Sequence, residues 1–402
     1  MKEAIINSNT GEGLTVKEIQ EKTDLYEPMS FLQSRFWADF KSEYGWAYKQ
    51  FSVTADSSKF ILTVLLRNIR PFGKLAYFPM APETLLSEDS CDYETAKKQG
   101  DLLVRLTEAL RAKLPKDVFL FRFDPPWSTR IDNAKGTLEN TEPTNVSGAK
   151  IPARAKNIAQ AFPLLPQSSG GYRIIDAPYD VQPPDTVCLD LSQTEEFLSE
   201  NLKSKWRYNI RLAEKKGILI ERKEGEEAAA AGIDIFYALY QQTAERDAIA
   251  IHRKEYYAKL CRKSCPEARI FIYIAEYEKK PLASIITIFT KKEAVYLYGA
   301  SSNENRNLMP TYLLQWRAIL DAKEHGCLRY DFYGIPPTDD PSHPMYGLYR
   351  FKTGFGGSIL HRVGSLDVPV KPLRYVCYTA AEKLRAFWFK KIKKMLRRGG
   401  GS

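Results

Sequence analysis

Tyr349-Arg-Phe-Lys-Thr-Gly-Phe-Gly-Gly357 brings a guanidinium, an ammonium and aromatic rings up to a Gly-Gly turn. Glycine lets a backbone approach a ligand closely or take positive φ, and Lys352 and Arg350 are cationic donors suited to anions. Read as a strand, the alternation puts Arg350 and Lys352 on one face and Phe351 on the other. An ordinary strand and turn with solvated cations is the plain alternative. A second cationic set lies on a helix expected over residues 194–216 and stopped by Gly217. Leu198, Leu202, Trp206 and Ile210 recur there at i+4 and should face a core. Lys203, Arg207, Arg211 and Lys215 make a parallel cationic row. Like charges at that spacing disfavour an isolated helix by a few tenths of a kcal/mol per pair, so the row suits an anionic partner or a solvated face.

Three further segments could contribute. Residues 298–310, Tyr-Gly-Ala-Ser-Ser-Asn-Glu-Asn-Arg-Asn-Leu-Met-Pro, join a strand to a helix that starts at Pro310. Free amides at such a start attract anions, with Arg306 beside them. The Gly-x-Gly/Ala ending that coenzyme A sites use at this place is missing. Arg253 and Tyr257 stand four apart, on one face if the turn is helical, where Arg can clamp a phosphate or belong to a surface ion-pair network. Asp124 ends an apolar strand before two prolines. It could take a proton from an attacking amine, or merely cap the strand. No Ser/His/Asp or Cys/His nucleophile pattern is visible, which favours reactions in which one substrate attacks another.

The elements that must position these groups form two blocks. The first has a short helix over 31–41, strands at 60–66, before Pro79 and at 118–123, and a helix over roughly 93–114. Residues 127–174 are rich in Asn, Thr, Pro, Ser and Gly and are expected to be a linker or insertion without chemistry. The second block adds a strand near 184–190, helical sequence over 236–261, a hairpin over 270–289, strands at 294–298 and 328–332, and a helix over 310–325. Asp124 and Asp331 each fall near the end of a strand after a helix, which hints at a duplicated mixed α/β unit.

At 402 residues and 44% apolar composition the chain can fill two domains. Its net charge of +10 (59 basic minus 49 acidic) favours polyanionic partners. The six cysteines and four histidines show no four-ligand spacing, so neither a metal nor a cofactor is expected. The opening residues lack a secretion pattern and no long apolar run exists, so a cytoplasmic protein is expected. Residues 383–398 carry eight cations and no acid, with Leu384, Phe387, Trp388, Ile392 and Leu396 able to share one face. Such a helix could lie on an anionic membrane, touch RNA, or pack on the first domain.

Together these pieces resemble the FemABX family of aminoacyl-tRNA-dependent peptidoglycan bridge transferases. The resemblance rests on Leu32-Gln-Ser with Trp37 and Lys41, Phe121-Arg-Phe-Asp-Pro125, Lys205 to Gly217, Arg246-Asp247, Arg253 with Tyr257, Tyr298-Gly-Ala-Ser301, Arg306 to Pro310, Tyr330 to Gly334, and Tyr349 to Gly357. It implies an α/β fold of two tandem acetyltransferase-like (GNAT-like) domains with mixed sheets. Residues 1–183, completed by 366–402, would form the first and 184–365 the second. It implies that Lys41, Arg253 and Tyr257 contact a peptidoglycan precursor, lipid II or UDP-MurNAc-pentapeptide. Asp124 and Tyr298 would lie by the acceptor peptide, and Lys352 by the ester of an aminoacyl-tRNA. Lys203, Arg207, Arg211, Lys215, Arg306 and Arg350 are candidates for tRNA phosphates. Nothing between Gly217 and Phe236 is long enough for the coiled-coil arm of larger members, so an armless monomer is expected. The rivals are an N-acyltransferase with another donor or acceptor and a non-enzymatic basic protein that binds RNA or membrane.

Overall fold

The computed structural model describes residues 13–20, 27–55, 58–83, 93–134 and 171–399. Their strands form two mixed sheets. In the first, β1 (Thr15–Glu18), β2 (Trp46–Ala55), β3 (Ser58–Ile69) and β4 (Gly73–Pro79) are an antiparallel meander. Helix α1 (Arg35–Ser42) precedes β2, and α2 (Tyr93–Arg111) returns the chain so that β5 (Val118–Asp124) pairs parallel with β4. Every residue of β5 is buried, as a strand covered on both faces requires. The sixth strand, β15 (Leu366–Pro369), arrives from far along the chain and pairs antiparallel with β5; β7 (Ile175–Asp176) closes that edge.

The second sheet has the same order. Strands β9 (Leu219–Glu224), β10 (Arg269–Tyr277), β11 (Lys280–Phe289) and β12 (Glu293–Ser301) are the meander. Helix α7 (Pro310–Glu324) crosses over, β13 (Arg329–Gly334) pairs parallel with β12, and β8 (Asp185–Asp190) lies antiparallel beside it. Then β14 (Ser358–Arg362) and β6 (Ser128–Asn133) extend the edge. The suspected repeat is visible in the register: Asp124 stands opposite Pro79, and Asp331 opposite Val295, each on the parallel strand after a helical crossover.

The structure departs from the sequence expectation in three places. The stretch expected as a strand at 349–353 is helix α8 (Tyr346–Thr353), because its buried residues Tyr349, Lys352 and Thr353 recur at helical spacing. Arg350 therefore faces solvent while Lys352 faces inward. The helix over 194–216 is two, α3 (Glu195–Asn201) and α4 (Ser204–Lys215), separated by extended backbone at Leu202 and Lys203. Residues 128–133, expected within a linker, are strand β6; 135–170 lie outside the described residues. The apolar row Leu198, Leu202, Trp206 and Ile210 is buried as expected.

One apolar cluster runs through both halves. Phe31, Phe40 and Tyr77 from the first meet Phe236, Tyr257 and Ile286 from the second, the last three on or beside α5 (Ile233–Asp247), α6 (Lys254–Arg262) and β11. Among the described residues no helix is long and apolar enough to cross a membrane. Arg122, in the middle of β5, is fully buried and bidentate to Asp367 of β15 at 2.7 and 2.8 Å. The Tyr375 hydroxyl donates to the same carboxylate at 3.1 Å, and the Tyr179 ring lies under the guanidinium. Removing one partner strands a buried charge, which typically costs about 3–5 kcal/mol. Asp367→Ala should therefore lower the free energy of unfolding measured by denaturant titration by that much, and adding Arg122→Met should recover part of the loss. A double variant whose loss equals the sum of the two single losses would show that the pair is not coupled.

Candidate active site

Lys41 ends α1, where the buried Trp37 and Phe40 hold the helix against the core. The Phe40 ring meets Tyr256 of α6 at 5.0 Å, so the ends of these two helices face each other. Between them lies a cavity of about 510 Å³ lined by Lys41, Tyr44, Trp46, Arg67, His252, Arg253, Glu255, Tyr256 and Lys259. Lys41 and Arg253, far apart in sequence, thus share one cleft. Lys41 rides over the Trp37 ring at 5.4 Å and Arg67 over the Trp46 ring at 5.3 Å, a placement that favours cations. Burial, and then the charge of Arg67, lower the Lys41 pKa. Burial and then Lys41 lower that of His252. Mutual repulsion of this kind is relieved by an anion with more than one charge.

Behind Trp46 the cleft reaches a buried polar chain. The Trp46 ring lies 6.1 Å from that of Tyr77, whose hydroxyl donates to Asp124 Oδ2. Ser365 Oγ donates to Asp124 Oδ1. Gln182 Nε2 donates to the Tyr77 oxygen at 3.1 Å, and Gln182 Oε1 accepts from the Tyr333 hydroxyl. Every donor in this chain points toward Asp124. Burial pushes the Asp124 carboxyl up to about 6, against the pull of Ser365, Tyr77 and then Arg122. A carboxylate with that pKa can take and release a proton near neutrality.

Tyr333 is held in the left-handed region (φ 57°) by a break in register between Asp331 and Gly334. So bulky a residue rarely adopts that conformation, and the reason is beneath it. Lys352 Nζ donates to the carbonyls of Phe332, Gly334 and Tyr333 at 2.7, 2.9 and 3.4 Å and sits 5.1 Å over the Tyr296 ring. It is 5% exposed. Burial lowers its pKa to about 7, with Asp331 opposing. Lys352 therefore holds the Phe332–Gly334 turn, and Arg350 points elsewhere.

The FemAB family model matches residues 14–278 and 267–383. The chain belongs to the FemAB family. A lipid II:glycine glycyltransferase of Staphylococcus saprophyticus is 22% identical over 426 residues, covering 90% of this chain and 94% of that protein. One from Staphylococcus epidermidis is 21% identical, covering 84% and 87%. The crystal structure of FemX matches with a TM-score of 0.63 at 18% identity, over 86% of this chain and 94% of that one. The last likeness bears out the expected mixed α/β fold.

The remaining candidates of this FemAB chain divide into two groups. Tyr257 and Tyr298 are not cleft-lining. They pack edge to face at 5.0 Å behind it, and Tyr257 Oη accepts from the His252 N–H at 3.1 Å, holding the loop before Arg253. Burial raises both hydroxyl pKa values. The basic row is split. Arg207 donates to the carbonyls of Ser199, Glu200 and Leu202 and so closes the end of α3. Lys203 caps α4 from the extended break, and Arg211 and Lys215 are exposed. Arg306 and Arg350 are exposed and approach one another around Tyr312, whose pKa burial raises and these two cations pull back.

Sequence reasoning missed Arg67, Tyr77, Gln182, Tyr333 and Ser365. Tyr333 was within reach, since it lies in the Tyr330–Gly334 segment already singled out. Charge-assisted hydrogen bonds contribute about 1.5–3 kcal/mol each, or about 10- to 100-fold in affinity. Arg67→Met and Arg253→Met should each weaken binding of a diphosphate ester by that factor in calorimetry. Unchanged affinity in both variants would remove the cleft as an anion site.

Proposed function

We propose that this chain transfers an amino acid from aminoacyl-tRNA to the side-chain amine of the third residue of the peptidoglycan stem peptide. The acceptor is lipid II or its nucleotide-linked precursor UDP-MurNAc-pentapeptide. The observation that carries the reading is the cationic cleft of Lys41, Arg67 and Arg253 set one ring pair away from a buried carboxylate with a pKa of about 6. The relatives named lipid II:glycine glycyltransferases support it, because they match along nearly their whole length.

In this reading Lys41 and Arg253, helped by Arg67, take the precursor's diphosphate, and the stem peptide runs past Trp46 toward Asp124. Tyr257 and Tyr298 fix the wall behind it. The acceptor ammonium has a pKa near 10 in water. It gives a proton to Asp124, directly or through the Tyr77 hydroxyl, and its nitrogen then attacks the ester carbonyl. The new C–N bond forms and the C–O bond to the ribose breaks; the nitrogen's second proton passes to the leaving ribose oxygen, and Asp124 returns the first to solvent. No bond to the protein forms. Lys352 holds the Phe332–Gly334 turn and supplies positive charge as the oxyanion develops. The exposed Arg211, Lys215, Arg306 and Arg350 bind tRNA phosphates, whereas the Lys203 ammonium is buried and takes no part. The enzyme works as a monomer in the cytoplasm, meeting the inner membrane face through the basic tail.

Charged tRNA incubated with the enzyme and UDP-MurNAc-pentapeptide should yield a branched precursor heavier by one amino-acid residue, identified by mass. An untouched ester, or an aminoacyl group trapped on the protein, would end the proposal. Lys352→Met should lower turnover by about 10²- to 10³-fold with little change in precursor affinity, whereas Lys41→Met should chiefly weaken binding. Equal loss of both quantities in the two variants contradicts these roles.

The pH profile has a definite sign. Asp124 loses its carboxylate as pH falls through about 6, and Lys352 loses its charge as pH rises through about 7. Turnover should therefore be bell-shaped with its maximum between these values. Tyr77→Phe removes a donor to the carboxylate and should move the acid limb upward by about one unit. Lys352→Arg should flatten the alkaline limb. A profile that neither variant alters would exclude both groups.

A further inference from the structure

Helix α9 (Pro372–Gly399) has two unlike sides where it leaves the first sheet. Tyr375 and Tyr378 face inward, the latter against Phe119 and Phe72 at 5.5 and 5.9 Å. The opposite side is apolar and open to solvent. Leu373 is 85% exposed, Val376, Leu384 and Phe387 61%, and Trp388 58%. At about 100° per residue these five fall within an arc of roughly 120°, over a length of about 22 Å. Single exposed apolar residues are ordinary, but an aligned row marks a docking face.

The same helix fixes what would cover it. Residues 383–398 contribute eight cations and no acid. A second copy of the chain would bring two such segments together and be repelled. A nucleic acid would satisfy the charge but leave Leu373, Val376 and Leu384 without an apolar partner. An anionic bilayer answers both, taking the apolar row among its acyl chains and the cations at its headgroups.

We propose that the outer face of α9, from Leu373 to Trp388, seats on an anionic lipid bilayer and so holds the Lys41–Arg253 cleft at the membrane surface. The seat and the cleft share one hairpin. Arg374 donates to the Phe72 carbonyl in the turn between β3 and β4 at 3.2 Å, and β3 carries Arg67 into the cleft. The row reaches back to Leu373 on the anchored part of the helix, so the protein would be oriented by the contact and not merely tethered. The benefit of such orientation rests on the reading above that the acceptor can be lipid-linked.

The test uses the full chain and vesicles with or without phosphatidylglycerol. Cys377 is the exposed thiol among the described cysteines and lies within the apolar arc. A polarity-sensitive fluorophore placed there, with Cys91→Ser to avoid double labelling, should shift to the blue on phosphatidylglycerol vesicles. The protein should float with those vesicles, and Leu373→Glu, Leu384→Glu and Phe387→Glu should each weaken flotation by about tenfold or more. The triple variant should keep full transfer onto the soluble nucleotide-linked acceptor. Absence of flotation, flotation that the triple variant retains, or a Cys377 probe that responds to tRNA but not to vesicles would overturn the proposal. Failure of the unaltered protein to transfer onto the soluble acceptor would instead sink the enzymatic reading, leaving the flotation result to stand by itself.

Discussion

The seam of aromatic rings between α1 and α6 is the contact on which the cleft depends. Trp37 and Phe40 bury one face of α1, and Phe40 and Tyr44 both meet Tyr256 at 5.0 Å. This burial is non-directional and large, about 1.5–3 kcal/mol per fully buried side chain, so it can overcome the repulsion of cations brought to the rim. Lys41 and Arg253 would otherwise drift apart. The salt links across the same rim, Glu43 to Lys259 and Lys263 at 3.6 and 2.6 Å, are exposed and contribute little. Glu293 adds a directional clasp, accepting from the Phe31 N–H at 2.8 Å with one oxygen and pairing with Arg329 through the other.

Beneath the seam, burial works against charge, and the site exploits the balance. Asp124 and Lys352 are both pushed toward their neutral forms, one upward and one downward, by the same loss of solvent. Neither is allowed to go all the way. Two hydroxyls donate to Asp124, and three carbonyls accept from Lys352. The two are mechanically joined, since the turn that Lys352 holds carries Tyr333, and Tyr333 begins the chain through Gln182 and Tyr77 to Asp124. That chain starts in the second sheet and ends in the first, with Gln182 between them. A shift of one half against the other would therefore alter the donors to Asp124.

Much of this was legible in the sequence, because its cause was local. The apolar row from Leu198 to Ile210 buries as its spacing demands, and β5 stops at Asp124 where two prolines forbid a further ladder. Lys41 and Arg253 could be named, but their meeting could not be read off, since it depends on packing between segments some two hundred residues apart. Residues 346–353 misled for a physical reason. Aromatic residues favour strands, yet here they serve a helix whose inward positions, Tyr349, Lys352 and Thr353, are set by tertiary burial. Tyr77, Gln182 and Ser365 carry no pattern of their own. Their roles come from three segments converging on one carboxylate.

The duplication sets two carboxylates in matching places and gives them different partners. Asp124 and Asp331 occupy matching strands, each parallel to its neighbour after a helical crossover. Asp331 is met by the Arg362 guanidinium at 3.3 Å, by the Thr186 hydroxyl and by the Tyr333 N–H at 2.7 Å. It is thereby committed to shaping the turn above Lys352. Asp124 has a guanidinium two residues away in Arg122, but Asp367 takes that cation in a bidentate pair. Only hydroxyl donors are left for Asp124, and hydroxyls stabilise a carboxylate less than a guanidinium does. A copied strand position has thus been tuned by what the strands beyond it bring, β15 next to β5 in one sheet and β14 outside β8 in the other. In the first sheet β15 carries Asp367, which neutralises the nearby arginine. In the second, β14 carries Arg362, which pairs the aspartate itself. The arrival of β15 from the far end of the chain therefore leaves Asp124 free to change its protonation near pH 6.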